Sequence, residues 1–197
     1  MDWDPSTGDE NSQELIEQAQ ASWSTDPNAA FKMCLQAAEA GSSWALQMVA
    51  WQYRWGSVAA DHELAQEYYR RAICAGSWSA TISYARLLDD EGHFDACEEV
   101  LQDGIASGFI PAYFWLARLR FLRSRDRATC REIRPLLEHA RDRGHPGAKH
   151  LLAVMMLLGK FGLRQVPAGF RMSWECTREL EVEDRAEAGP PPAAAIA

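Results

Sequence analysis

The stretch AICAGSWSATISYA, residues 72–85, decides the fold, because it recurs along the chain. The matching stretches are AAEAGSSWALQMVA at 37–50, GIASGFIPAYFWLA at 104–117 and ARDRGHPGAKHLLA at 140–153. Their central glycines follow one another at intervals of 35, 32 and 36 residues: Gly41, Gly76, Gly108 and Gly144. A self-similar period of about this length predicts a helical-repeat protein.

Small and bulky residues hold fixed positions around each glycine. An alanine lies four residues after it (Ala45, Ala80, Ala112, Ala148) and another nine residues after it (Ala50, Ala85, Ala117, Ala153). The residue before the second alanine is bulky: Val49, Tyr84, Leu116 and Leu152. Helices whose axes approach within about 8–10 Å need small side chains at the crossing. The glycine suits the left-handed residue that ends a helix. Each unit is therefore predicted to be a helix, a glycine turn and a second helix, and the chain an all-α solenoid of paired antiparallel helices.

The periodicity predicts helices at about residues 28–40, 43–55, 61–75, 78–90, 94–107, 111–123, 128–143, 146–158 and 167–180. The segment SQELIEQAQASW predicts one more helix, which caps the N-terminal end. Three aspartates precede predicted helices and are expected to cap them: Asp26, Asp61 and Asp126.

Charge divides the chain into a body with two acidic ends. Residues 1–29 carry seven acidic residues and no lysine or arginine, and residues 173–197 carry six acidic residues and two arginines. We expect residues 1–12 to be disordered, residues 13–180 to form the repeat domain, and the Pro/Ala-rich residues 181–197 to be a disordered tail. The repeats themselves are expected to cover residues 28–172.

The cellular location is predicted from what the chain contains. No stretch reaches the roughly 20 apolar residues that a membrane-spanning helix needs, and the acidic N-terminal residues do not resemble a secretory signal. The five cysteines show neither a CxxC pair nor a repeated spacing, so we expect reduced thiols rather than disulfides. These features predict a cytoplasmic protein without membrane insertion.

Two further stretches indicate a family. LAQEYYRRAICAG, residues 64–76, and LLGKFGLRQVPAGF, residues 157–170, resemble the second helix and the glycine loop of Sel-one-like repeats (SLR), which are related to tetratricopeptide repeats (TPR). The resemblance covers about residues 28–172. It departs from the family pattern where Val-Ala, Tyr-Ala or Leu-Ala replaces Leu-Gly, where the loop in LLDDEGHFDACEE is three residues shorter, and where the loop in RFLRSRDRATCRE has no glycine.

The resemblance implies about four repeats in a right-handed superhelix and a non-catalytic adaptor or scaffold, often bacterial, that binds a protein or peptide in its concave groove. Two other functions stay open. One is an immunity-type or regulatory inhibitor of a partner enzyme. The other is a hydrolase acting on a cell-wall-like or lactam substrate.

The candidate catalytic and metal-binding groups do not form a recognisable site in the sequence. The five histidines lack HExxH or Cys/His spacing, and there is neither a phosphate-binding glycine loop nor a GxSxG motif. We therefore expect no catalytic residue, no metal and no cofactor.

The segment 118–149 is strongly basic, with ten lysines and arginines against four acidic residues. It predicts an acidic partner, whereas the net charge of −8 disfavours nucleic acid.

The predicted groove follows one stripe of the helix after each glycine. The stripe is aromatic and arginine-rich, and its residues are Trp44, Gln47, Trp51, Arg54, Ile82, Arg86, Phe114, Arg118, Phe121 and His150. Trp and Arg are enriched at interface hot spots. The alternative is that some of these tryptophans pack against the N-terminal helix or a neighbouring unit.

Overall fold

The computed structural model describes residues 10–56 and 60–187, with side chains described for residues 12–178 of these ranges. Within them the chain forms ten α-helices and a short 3-10 helix at Leu163–Gln165, and no strand. The helices are α1 (Glu10–Ser22), α2 (Pro27–Glu39), α3 (Ser43–Trp55), α4 (His62–Cys74), α5 (Trp78–Asp90), α6 (Phe94–Ala106), α7 (Ile110–Arg123), α8 (Arg127–Asp142), α9 (Pro146–Leu157) and α10 (Val166–Glu187). The predicted all-α helical-repeat class is confirmed.

The predicted domain limits differ slightly from the helices. Helix α1 begins at Glu10, inside the segment expected to be disordered, and α10 continues to Glu187, past the expected end at residue 180. The rest of the predicted tail, from residue 188, and residues 1–9 lie outside the described residues. No helix in the described part of the chain is both long enough and apolar enough to cross a membrane.

The chain divides into two compact units, one up to Ala112 and the other from Tyr113. In the first unit, α1 packs chiefly on α2, α3 on α4 and α5 on α6. In the second unit α9 packs chiefly on α10. The glycine turns therefore join the second helix of one pair to the first helix of the next. Helix α1 is the first helix of such a pair rather than a lone cap.

The repeating glycines end helices in the predicted way. All four have a positive φ, between 82° and 92°, which strains any residue with a Cβ. The residue after each glycine donates its backbone N–H to a carbonyl one helical turn earlier, at 2.9–3.1 Å. Those carbonyls belong to the small residues four positions before the glycine: Ala37, Ala72, Gly104 and Ala140. This is the Schellman pattern, which satisfies carbonyls left without helical partners.

The small residues also set how closely the helices approach. The repeating alanines and the bulky residues before them are buried throughout. At Gly104 a Cβ would lie 3.1 Å from the Cβ of Ala112. At Gly169 it would lie 2.8 Å from the Cβ of Met156. Glycine replaces alanine where the neighbouring helix leaves no room for a methyl group.

The predicted caps and the cysteines follow expectation. The carboxylates of Asp26, Asp61 and Asp126 each accept a backbone N–H three residues later, at 2.8–3.0 Å. No disulfide joins the five cysteines, all of which lie in the described part of the chain. Cys34 and Cys97 are buried, and burial raises the pKa of the Cys34 thiol to about 11.

Candidate partner-binding surface

One face of α3 carries a row of large side chains that the core does not use. Trp44, Met48, Trp51 and Trp55 follow one another at steps of four, three and four residues, so they share a face of the helix. Trp51 is 46% exposed and Trp55 59% exposed, while Trp44 and Met48 are half-buried. We call these four residues the tryptophan stripe. Exposed aromatic rings in a continuous row are typical of interaction surfaces.

Helix α5 lies beside α3 and is attached to it at both ends. Near the start of α5, the side-chain carbonyl of Gln47 accepts hydrogen bonds from the hydroxyls of Ser77 and Ser79, at 2.8 and 2.6 Å. Near the end of α5, Arg54 donates to the backbone carbonyl of Ser83 at 2.9 Å and to the carboxylate of Asp90. Gln47, which the sequence predicts to lie in the groove, therefore joins α3 to the start of α5 by hydrogen bonds.

Arg54 does not take the position that the groove prediction gives it. It is only 6% exposed, and its guanidinium lies 4.7 Å from the ring centroid of Trp55. The fork of guanidinium N–H groups reaches the neighbouring helix from this position, so the side chain is used internally. The guanidinium of Arg54 thus packs against the ring of Trp55, and the side chain is too buried to contact a partner.

The buried end of Arg54 also affects Tyr69. Burial raises the pKa of the Tyr69 hydroxyl, and the positive charges of Arg54 and Arg86 oppose that rise. Tyr69 packs against the ring of Tyr84, with the two centroids 6.3 Å apart. An aromatic contact therefore joins α4 to α5 in the core of the first unit.

The other two predicted residues of this unit lie on α5. Ile82 is half-buried and Arg86 is exposed, four residues later on the same face. Together with the tryptophan stripe they form the α3–α5 surface, which carries apolar side chains on both helices and an exposed arginine on α5.

The predicted residues of the second unit are only partly accessible. Phe114 is half-buried and stacks on His145, with centroids 4.6 Å apart, while Arg118 lies over the ring of Trp115 at 4.8 Å. His150 is exposed. Phe121 departs from expectation: it is 7% exposed and packs in the core, with the Arg125 guanidinium 5.6 Å from its ring.

Sequence reasoning missed one residue of the surface. Met48 extends the stripe between Trp44 and Trp51. The signal was its spacing along α3, four residues after Trp44 and three before Trp51, which places it on the same face.

The titratable side chains of the first unit include one close cluster. Glu91 accepts a hydrogen bond from Gln66 at 2.8 Å, and its carboxylate lies 2.9 Å from His62 Nδ1 and 3.5 Å from His93 Nδ1. Across residues 12–178, where side chains are described, no three His, Cys, Asp or Glu side chains are arranged to hold a metal ion.

No protein-family model matches the chain, and no curated protein matches its sequence. Solved structures do match its fold. A Sel1 repeat protein from Oxalobacter formigenes is 15% identical, with a TM-score of 0.65, over 93% of this chain and 83% of that one. A protective antigen present in uropathogenic Escherichia coli strains and displaying an SLR fold is 19% identical, with a TM-score of 0.63, over 82% of this chain and 38% of that one.

A third structure, a MamA double mutant, is 13% identical, with a TM-score of 0.60, over 87% of this chain and 97% of that one. At identities this low, the structural match shows a shared fold and does not show a shared activity. The chain therefore has the fold of the Sel1-like repeat proteins, as the resemblance of its repeats implies.

Proposed function

We propose that this chain is a non-catalytic interaction scaffold that binds a protein or peptide on the α3–α5 surface. The observation that carries the proposal is the pair of exposed tryptophans, Trp51 and Trp55, on a helix that is held firmly from behind. The Sel1-like repeat fold supports the same reading, because arrays of helix pairs present extended binding surfaces.

The energetics favour a bound partner over a bare surface. An aromatic side chain buries about 150–250 Å² when it is covered, and apolar area contributes roughly 25 cal/mol per Å². Trp51 and Trp55 are each about half exposed, so a partner would gain by covering the remainder. The helix that carries them is preorganised by Gln47 and Arg54, so little ordering entropy opposes binding.

The chemistry of the surface indicates the kind of partner. The tryptophan stripe suits apolar or aromatic side chains, and the guanidinium of Arg86 suits a carboxylate. We propose a peptide segment that places an apolar residue on Trp51 and Trp55 and an acidic residue near Arg86. The half-exposed Phe114 and Arg118 give the second unit a separate surface of the same composition.

The proposal includes a reducing, cytoplasmic compartment. Its support is that three of the five cysteines are buried singly in different helices, Cys34, Cys97 and Cys130, at positions where they serve as small apolar residues.

The test compares tryptophans on two helices. Peptides selected from a random display library on the wild-type protein are titrated against Trp51→Ala and against Trp174→Ala. Trp174 lies on α10 and is 68% exposed, so the two variants remove the same side chain from a similarly accessible position. We expect Trp51→Ala to weaken binding about thirtyfold, the effect of a hot-spot residue worth about 2 kcal/mol.

Trp174→Ala is expected to bind the same peptides as the wild type does, and both variants should unfold at the wild-type temperature. Selected peptides that bind Trp51→Ala as tightly as the wild type would contradict the proposed surface, as would a selection that yields no binder.

A further inference from the structure

The second unit contains a basic cavity of about 230 Å³, formed between α8 and the turn after α9. Arg127, Arg131 and Arg134 line it from α8, where their spacing of four and three residues puts them on one face. The opposite wall is Lys160, Phe161 and Gly162. The cavity is much larger than one water molecule, whose share of liquid volume is about 30 Å³.

The charge in this cavity is largely uncompensated. The side chains of Arg127 and Arg131 make neither a hydrogen bond nor an ion pair with any residue that the structure describes. Arg134 is paired with Glu138 at 2.8 Å. The carboxylate of Asp126, the residue before Arg127, accepts hydrogen bonds from Thr129 and Ser124 as the cap of α8. Four cations therefore line one space, with the carboxylates of Glu138 and Asp126 as the negative charges named beside them.

The walls of the cavity are fixed by contacts that do not depend on a ligand. The guanidinium of Arg134 lies 4.8 Å from the ring centroid of Phe161. The ammonium of Lys160 donates to the backbone carbonyl of Arg125 at 2.6 Å, which ties the turn to the segment before α8. The turn itself is closed by the hydrogen bond from Lys160 N to Met155 O, at 3.0 Å. Two of the four basic groups, Arg134 and Lys160, are thus held in place by the protein, while Arg127 and Arg131 line the same space from exposed positions on α8.

We propose that this cavity binds a phosphoryl group, as a phosphate ester or a pyrophosphate. Like charges four residues apart destabilise a helix, so Arg127 and Arg131 favour a ligand that neutralises both. Guanidinium groups match the oxygen geometry of phosphate and bind it through paired hydrogen bonds. A phosphoryl dianion balances more of this charge than one carboxylate does. The cavity is a single site and does not trace a nucleic-acid backbone.

The experiment titrates three probes against the full chain at about 150 mM salt: inorganic pyrophosphate, a phosphoserine peptide and the same peptide with serine. Each is titrated against the wild type, Arg131→Gln and Arg171→Gln. Arg131 and Arg171 are both exposed arginines, but Arg171 lies on α10 outside the cavity. Thermal unfolding of each variant shows that it is folded.

We expect pyrophosphate, the phosphopeptide or both to bind the wild type, with affinity reduced at least about tenfold by Arg131→Gln and unchanged by Arg171→Gln. Tighter binding of the phosphopeptide would identify a phosphorylated protein as the source of the group, and tighter binding of pyrophosphate a free phosphorylated molecule. The proposal would be overturned by equal affinity for the serine and phosphoserine peptides together with no pyrophosphate binding, or by equal losses in the two variants. Because the cavity and the tryptophan stripe share no residue, failure here leaves the scaffold proposal standing.

Discussion

Arg54 shows how a single side chain links the packing of the first unit to its surface. Its guanidinium bonds to Ser83 and Asp90 on α5 and lies against the ring of Trp55 on α3. A buried cation of this kind is stable only while its donors are satisfied, because desolvating a charge is costly. The exposed position of Trp55 therefore depends on Arg54, a residue that is itself buried.

Replacing Arg54 by methionine should lower the free energy of unfolding by about 2 kcal/mol, because the bonds to Ser83 and Asp90 are lost while most of the apolar stem remains. Urea unfolding followed by circular dichroism measures the change. Arg70→Met is the control, because Arg70 is an exposed arginine on α4 and its loss should change stability by less than about 0.5 kcal/mol. Equal effects of the two substitutions would contradict the structural role of Arg54.

The burial of Arg54 also shows which contacts of a residue cannot be predicted from the sequence. Helical spacing places it on the flank of the predicted stripe, but its partners lie 29 and 36 residues away on another helix. Residues that contact across such distances depend on how two helices approach each other. Trp51, by contrast, is predicted correctly as a residue outside the core, because the positions of Val49 and Ala50 in the repeat fix which face is buried.

Among the helices, α8 combines a strong N-terminal cap with a basic face. Hydrogen bonds from the Ser124 hydroxyl and the Thr129 backbone lower the pKa of Asp126 from 3.8 to about 2. A carboxyl group whose pKa is lower in the folded state stabilises that state above its unfolded pKa, and the contribution is lost as the pH falls towards the folded pKa.

The difference in unfolding temperature between the wild type and Asp126→Ala should therefore be constant above about pH 5 and shrink between pH 3.8 and about pH 2. Asp126→Asn is the control, because asparagine keeps a cap acceptor without titrating in this range. Its unfolding temperature relative to Asp126→Ala should change little with pH. A wild-type advantage that stays constant down to pH 2.5 would show that the carboxylate charge does not contribute.

The sequence predicts where the helices begin and end more accurately than it predicts which residues of different helices contact one another. The central helices begin and end within one or two residues of expectation, because glycines and aspartates mark their ends in the sequence. The end of α10 differs more, because the helix continues seven residues past its predicted end at residue 180, to Glu187. The sequence shows that segment 118–149 is basic, but it does not show that part of this segment lines a cavity. Its second wall, Lys160–Gly162, comes from a different part of the chain.

At the scale of the whole molecule, each of the two units carries one of the proposed binding sites. The first presents the tryptophan stripe, and the second contains the basic cavity. A repeat array allows this division, because each helix pair is stabilised mainly by its neighbours and its outer residues can differ without changing the fold. The Sel1-like fold thus sets the positions of the helices, and the function depends on the side chains that remain exposed on them.

The central claim, that a partner docks on the tryptophan stripe, is tested most directly by placing a photo-crosslinking amino acid at position 51 and, separately, at position 174, in the organism that encodes the chain. Both positions hold exposed tryptophans, so the two proteins differ chiefly in which helix carries the probe. We predict a discrete crosslinked product from position 51, suppressed when Arg86 is replaced by alanine, and no such product from position 174. A product from position 174 alone, or from neither position, would contradict the claim.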